Sequence, residues 1–316
     1  MNPRDLVAAL QLTTPDLSAR LVNFPKTWTH GGARITGRFY YLALRDGEPT
    51  VDDLITIAFA RIINFAIPRQ RIAEAKEQMA QMGGSLDPIV TLTAEARDLF
   101  IQTKKETGRS GELGEMLLYM LLEWALEAPI LASKMYLKTN RQMPVHGCDG
   151  IHVGFDGNDL ILHFGESKMY ADLSAALTAI VESIKEYRAS STSRDNELRI
   201  IRKDLSTANL PVATANALRA YFNPYDTLSN RIRDSHACLA GFDSNIYERD
   251  PGATSEEVEQ KLRLTYESRA ESACELIARK VADAGLSKFD FTFFLLPFPS
   301  VDVARASFQS RLTGSS

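Results

Sequence analysis

The sequence predicts a mixed α/β fold in which helices flank a central mixed sheet. Strand-like and helix-like segments alternate along the whole chain, and one segment has the pattern of a β-hairpin. The 316 residues, 45% of them hydrophobic, suffice for one large domain or two modest ones. This composition excludes collagen-like and disordered chains, so a globular protein is expected.

The first elements predicted are a strand over residues 38–45 and helices over residues 51–65 and 68–82. A glycine pair at 83–84, followed by Asp87 and Pro88, is typical of a linker. We therefore predict a boundary here, with residues 1–88 as an N-terminal α/β segment and candidate partner contact. Residues 89–316 are then the domain that carries the chemistry.

A helix is predicted over residues 93–107, and a second begins at about Ser110, a suitable N-cap. The second helix is apolar nearly all round, which predicts that it is buried. Glu115 lies in line with Leu118 and Leu122 on this helix, so its carboxylate emerges from an apolar stripe where charge requires a cation. Glu115 is therefore a candidate site residue, and Glu112 is a weaker one.

Further elements predicted are a helix over residues 171–188, a loop over 188–194 and a strand over 237–242. A capping box of Thr254 and Glu257 opens a long helix that ends at Gly285. Aromatic residues at 289–296 predict a buried strand. The segment 185–203 holds six basic residues against three acidic ones, a candidate for phosphate contact or simply a solvated helix face.

Two alternating runs flank Gly157 and Asn158, which is the signature of a β-hairpin with a two-residue turn. With this turn, the residue numbers of every opposed pair have the same sum, and three of the pairs are apolar. Continuing that register places Asp149 opposite Glu166, with Lys168 two residues further along the same face. The register pairs Phe155 with Leu160, Val153 with Leu162, and Ile151 with Phe164.

Two opposed carboxylates repel each other and call for a cation. Mg²⁺, with Mn²⁺ as an alternative, suits a small set of oxygen ligands, so Asp149 and Glu166 are candidate metal ligands. Lys168 can stabilise charge that builds on a phosphate. A strand-end salt-bridge cluster is the plainer interpretation, because Glu-x-Lys alone also occurs at Glu74 and Glu259.

Two other groups of metal-binding residue types carry less weight. His152 and His163 come out opposite each other on the other face of the hairpin, and packing is favoured over zinc binding because no third ligand is evident. The three cysteines are odd in number and lack CxxC spacing, which argues against disulfides and against a zinc site; they are Cys148, Cys238 and Cys274.

The helix start at 111–115, the turn at 146–150 and the strand end at 165–168 together resemble the PD-(D/E)xK nuclease superfamily. They look more specifically like the nuclease subunit of the Hachiman anti-phage defence system. Cys148 stands where the superfamily has proline before the aspartate. The resemblance implies a restriction-endonuclease-like core, magnesium-dependent hydrolysis of DNA and a DNA helicase partner. It also implies that Asp149, Glu166 and Lys168 form the catalytic site and that Glu115 completes it.

Two alternatives remain at this point. One is a non-enzymatic adaptor that docks on a helicase or on DNA through the long C-terminal helix and residues 188–203. The other is an RNA-directed nuclease of the same fold, since nothing in the hairpin selects deoxyribose.

The charge balance bears on every one of these functions. Thirty-six basic and 40 acidic residues give a net charge of −4, so no strong basic field attracts nucleic acid. We therefore expect weak intrinsic DNA affinity and a partner that delivers the substrate. The sequence shows no secretory signal and no apolar run of membrane length, so a cytoplasmic protein without membrane contact is expected.

Overall fold

The computed structural model describes residues 2–11, 14, 16–30, 34–107, 111–132, 135, 148–190, 192–207 and 210–314. Within these ranges, the side chains of residues 25–30, 103–107 and 203–207 are not described. The predicted N-cap Ser110 and the turn residues His146 and Gly147 lie outside the described residues.

Nine strands occur in the described chain: β1 (Leu21–His30), β2 (Ile35–Leu42), β3 (Leu44–Arg45), β4 (Glu48–Pro49), β5 (Ile130–Ala132), β6 (Gly150–Asp156), β7 (Asp159–Tyr170), β8 (Ile232–Asp243) and β9 (Asp290–Phe298). Seven of them form one sheet in the order β1-β2-β9-β8-β7-β6-β5, and β3 and β4 form a separate ribbon. The pairs β2–β9, β9–β8 and β8–β7 are parallel, whereas β1–β2, β7–β6 and β6–β5 are antiparallel.

Eleven α-helices occur in the described ranges: α1 (Pro3–Leu10), α2 (Val51–Ala60), α3 (Ile62–Ala66), α4 (Arg69–Gln81), α5 (Asp87–Thr107), α6 (Glu112–Ala125), α7 (Leu173–Ala189), α8 (Ser193–Thr207), α9 (Val212–Tyr221), α10 (Ser255–Asp283) and α11 (Val301–Thr313). Together with the central mixed sheet, they confirm the predicted mixed α/β fold.

The long helix and the buried helix form as their sequences predict. Thr254 and Glu257 make the capping box at the start of α10, and Gly285 follows its end with a φ of +72°, which favours glycine. Helix α6 is buried around almost its whole circumference, from Glu112 to Glu123. The aromatic strand β9 lies in the core of the sheet, as predicted.

Helices α6 and α7 cover opposite faces of β7. Successive side chains of a strand point to opposite faces, so odd-numbered and even-numbered residues of β7 have different surroundings. On the odd-numbered face, Leu118 of α6 lies close above Gly165. On the even-numbered face, the guanidinium of Arg188 of α7 stacks over the ring of Phe164 at 5.7 Å. The strand end that carries Glu166 and Lys168 is therefore enclosed between two helices.

The sheet continues across the boundary predicted near residue 88. Strand β2 pairs in parallel with β9, with Ile35 beside Phe291, so the N-terminal strands belong to the same sheet as the C-terminal ones. The same hydrophobic core includes residues from both parts, such as Phe39 and Phe293. The two predicted parts of the chain therefore share one sheet and one core. A domain boundary at residue 88 stays a prediction.

Cys148, Cys238 and Cys274 are all buried, and none of the three forms a disulfide bond. In the described part of the chain, each helix is too short or too polar to cross a membrane.

Candidate metal centre

The hairpin of β6 and β7 has the register that the sequence predicts. Gly157 adopts a φ of +59° in the two-residue turn, a value that glycine tolerates without strain. The paired residues run from Asp156 with Asp159 to Gly150 with Gly165. Asp149 lies directly before β6, and its backbone N–H donates to the carbonyl of Gly165 at 2.8 Å. The register therefore carries Asp149 to the strand end where Glu166 and Lys168 lie.

Asp149 is held beside Ser167 at this strand end. Its Oδ2 accepts a hydrogen bond from the backbone N–H of Ser167 at 2.8 Å and another from the Ser167 hydroxyl at 2.7 Å. A strict continuation of the register predicts that Asp149 is a strand residue paired with Glu166. The structure differs, because the strand pairing ends at Gly150 with Gly165. The reason is that β6 begins one residue later, which frees the Asp149 side chain to turn toward Ser167.

Glu166 is a buried acid with one basic partner. The residue is 5% exposed, and Oε1 accepts a hydrogen bond from Lys168 Nζ at 2.5 Å. Burial and the neighbouring charge of Asp149 raise the pKa of Glu166 to about 7, although Lys168 and the hydroxyl of Ser183 on α7 act in the opposite direction. The charged form of Glu166 is therefore short of compensating positive charge.

Lys168 lies on the same face of β7 as Glu166. Burial alone would lower its pKa, but the charges of Glu166 and Asp149 outweigh that effect and raise the pKa above its ordinary value. Lys168 is consequently an ammonium ion at neutral pH. The structure thus brings together three of the four predicted site residues: Asp149, Glu166 and Lys168.

Glu115 lies on α6, the helix that packs against β7. It is half-buried and follows Gly114, which lies so close to β7 that a Cβ at this position would be 3.1 Å from Ser167 Oγ. Glu115 thus lies on the helix that covers the Ser167 side of the strand, where the Asp149 carboxylate is held, whereas Ser183 contacts Glu166 from α7. The role of Glu115 in completing the site stays a prediction. Glu112 is buried at 5% exposure.

The residues present fit a divalent cation that is completed by non-protein ligands. Asp149 and Glu166 supply carboxylate oxygens, and a cation would offset the repulsion that raises the pKa of Glu166. Among the residues that the structure describes, no group of three or more histidine, cysteine, aspartate or glutamate side chains is placed to hold a metal. This donor set suits Mg²⁺, which commonly takes one or two carboxylates and keeps waters or phosphate oxygens as its other ligands.

The two hairpin histidines lie opposite each other, as the register predicts. His152 is 1% exposed, and its Nδ1 lies 2.8 Å from the carbonyl of Ala128. Burial lowers the pKa to about 3 for His152 and to about 4 for His163, so both rings are neutral. Within the described ranges neither histidine belongs to a group of three metal-binding side chains.

Three of the six basic residues in the segment predicted at 185–203 are engaged inside the molecule. Arg188 Nη1 and Arg194 Nε donate to Asp234 Oδ2 at 3.0 and 2.8 Å, and Arg202 Nε donates to the carbonyl of Phe222 at 2.9 Å. Arg188 Nε also donates to His236 Nε2 at 2.8 Å. For the arginines they involve, these contacts fit neither the solvated helix face nor phosphate contact, because the guanidinium groups are paired within the fold.

Two features of this region were not predicted from the sequence. Asp234 pairs with two arginines that lie 46 and 40 positions before it in the chain, and no local sequence pattern predicts such a contact. The contact of Ser167 with Asp149 also lay outside the prediction, because the predicted register places Asp149 on the face of Glu166, whereas strand alternation places Ser167 on the opposite face.

Comparison with models of protein families matches residues 23–312 to the family HamA. No curated protein matches the chain. The matched range contains every predicted site residue and extends over both sides of residue 88. The chain therefore belongs to the HamA family and is a component of the Hachiman anti-phage defence system.

Proposed function

We propose that the chain is a magnesium-dependent DNA nuclease, the effector of this defence system, and that it acts with a DNA helicase. The observation that carries the proposal is the meeting of Asp149, Glu166 and Lys168 at one end of the hairpin. Glu166 is buried there beside a second carboxylate, a costly arrangement that a bound cation would stabilise.

Asp149 and Glu166 would hold the metal. When bound, Mg²⁺ would polarise the scissile phosphate and lower the pKa of a coordinated water, with Mn²⁺ as a substitute. Hydrogen bonds from Ser167 go to Oδ2 of Asp149, so in this proposal Oδ1 is the oxygen that would bind the cation.

Lys168 contributes positive charge. Its raised pKa keeps the ammonium protonated at neutral pH, so it suits stabilisation of negative charge on a phosphate better than proton abstraction. Glu115, on the α6 side, would supply a further carboxylate once substrate and metal are in place. Together these residues account for binding, charge neutralisation and orientation of the phosphodiester.

The charge distribution supports a partner that delivers the substrate, and the resemblance to the Hachiman nuclease subunit implies that this partner is a DNA helicase. The net charge is −4, and two arginines of the most basic segment, Arg188 and Arg194, pair with Asp234. Weak intrinsic affinity for DNA is therefore expected, and a helicase would deliver the strand. Supporting observations are this charge balance and the membership of a defence system.

The test is cleavage of plasmid DNA by the purified chain, alone and with the helicase of the same defence system, in Mg²⁺ and in EDTA. We expect Mg²⁺-dependent cleavage, stronger with the helicase, and its loss in the double variant Glu166→Gln with Lys168→Met. The matched control is Glu74→Gln with Lys76→Met, an exposed Glu-x-Lys on α4. Persistent cleavage by the folded Glu166/Lys168 variant would contradict the site.

Two other results would each support one of the alternative functions. Cleavage of RNA but not DNA under the same conditions would identify an RNA-directed nuclease. An absence of any metal-dependent cleavage in the presence of the helicase, with a stable complex still formed, would favour the non-enzymatic adaptor.

A further inference from the structure

Ser167 lies in the middle of the Glu166-Ser167-Lys168 segment, and its side chain is directed away from both neighbours. Alternation along β7 places Glu166 and Lys168 on the α7 side and Ser167 on the α6 side. Ser167 is 7% exposed. A serine hydroxyl at such a buried position needs a hydrogen-bond partner, since an unpartnered one would cost free energy.

The partner of Ser167 is Asp149. Both the backbone N–H and the hydroxyl of Ser167 donate to the same atom, Asp149 Oδ2, at 2.8 and 2.7 Å. Two donors on one oxygen fix the plane and the direction of the carboxylate. Hydrogen bonds to an ionised acceptor are among the stronger ones in proteins, so this contact can hold a side chain that no strand pairing restrains.

Helix α6 holds the serine in place. A Cβ on Gly114 would lie 3.1 Å from Ser167 Oγ and 3.4 Å from Ser167 Cβ, so the helix backbone lies immediately against this side chain. The contact leaves space for a small hydroxyl residue and little more. Ser167 therefore links α6, which carries Glu115, to the acid at the start of β6.

We propose that Ser167 is a positioning residue that fixes the Asp149 carboxylate so that its Oδ1 faces the cation site. The proposal rests on the proposed function and extends it to a residue that contacts neither metal nor substrate. Partners of metal ligands commonly set ligand orientation, and their removal typically weakens metal binding by about 10- to 100-fold.

The first measurement is Mn²⁺ binding by the full chain, followed by electron paramagnetic resonance. We expect Ser167→Ala to bind Mn²⁺ about 10- to 100-fold more weakly than the unchanged chain. The matched control is Ser235→Ala, which removes an equally buried hydroxyl at 6% exposure on β8 and should leave Mn²⁺ binding unchanged. An unchanged affinity in Ser167→Ala would overturn the proposal, even where the unchanged chain binds Mn²⁺ and cleaves DNA.

The second measurement needs no metal. Urea unfolding of Ser167→Ala, Asp149→Ala and the double variant tests whether the two side chains interact. We expect the double variant to lose less stability than the sum of the single losses, because each single change already breaks the contact. Additive losses of stability would contradict the proposed contact between Ser167 and Asp149. Coupling in a chain that binds no Mn²⁺ would instead contradict the cation role together with the proposed function.

Discussion

Two acids on neighbouring parallel strands, the buried Glu166 and the half-buried Asp234, differ in how their charge is balanced. Asp234 accepts hydrogen bonds from Arg188 and Arg194. Burial raises its pKa, but the two arginines outweigh burial and hold the pKa below its ordinary value. Glu166 has one lysine and a second acid beside it, and its pKa rises to about 7.

The difference separates a structural cluster from a candidate functional one. Two guanidinium groups satisfy Asp234 within the fold, so nothing further is needed there. Glu166 and Asp149 share one ammonium group, an arrangement that favours an additional cation. Three predictions test this contrast, from the largest expected effect on stability to the smallest.

The largest effect is expected for Asp234→Asn. Loss of this carboxylate leaves two arginines without their shared partner. Removal of one member of a fully buried ion pair costs about 3 kcal/mol or more, so a loss of about 2 to 3 kcal/mol is expected for this partly exposed cluster. Urea unfolding at pH 7 measures the loss. The control is Asp156→Asn, an exposed partner of Arg233, for which a change below about 0.5 kcal/mol is expected. Equal losses in the two variants would contradict the structural role of Asp234.

An intermediate effect is expected from His236, which belongs to the Asp234 cluster. Burial and the adjacent Arg188 lower the pKa of His236 to about 3. The unfolded chain takes up this proton near pH 6.5, whereas the folded chain does not, so stability falls as the pH decreases from 6.5 toward 3. The slope from this residue is up to about 1.4 kcal/mol per pH unit.

His236→Gln retains an acceptor for Arg188 and should remove that part of the slope. Urea unfolding at pH 7 and pH 5 compares the two chains. A slope that does not change would show that His236 is protonated in the folded protein, and the cluster would then not be internally balanced.

The smallest effect on stability is expected for Glu166→Gln. Because the folded pKa is raised, the contribution of Glu166 is complete below about pH 4.5 and is lost as the pH rises through about 7. Glutamine carries no charge, so at pH 8 the variant should be within about 1 kcal/mol of the unchanged chain or more stable. Its stability relative to the unchanged chain should increase from pH 5 to pH 8.

Unfolding curves for Glu166→Gln and the exposed control Glu74→Gln at both pH values provide the comparison. A loss at pH 8 as large as that of Asp234→Asn would show that Glu166 and Lys168 form a satisfied strand-end salt bridge. The plainer interpretation of the Glu-x-Lys segment would then hold, and the metal site would lose its main support.

Much of the fold and of the candidate site was predictable because the signals are local. Gly157 and Asn158 fix the turn, the turn fixes the register, and alternation then determines which residues share a face. Those rules placed Asp149, Glu166 and Lys168 at one strand end. They did not place the Asp149 side chain, because the strand pairing stops one residue before the register would have oriented it.

The basic segment shows where local rules end. The six basic residues between 185 and 203 indicate a basic patch when charges are counted along the sequence. In the structure, however, Arg188 and Arg194 pair with Asp234, which lies 46 and 40 positions further along the chain. The N-terminal part gives a similar case. Glycines at 83–84 are typical of a linker, but β2 pairs with β9, a strand more than 200 residues away that no local pattern reveals.

The sequence by itself determined the mixed α/β class, the hairpin, its register and the three polar residues that meet at its end. Turn chemistry and side-chain periodicity act over a few residues and need no knowledge of the rest of the chain. Only the tertiary structure decided that Ser167 holds Asp149, that Asp234 pairs with two arginines, and that Glu166 is too buried to ionise easily. These properties depend on which helix covers which face of the sheet, and burial sets how strongly each charge interacts with its neighbours.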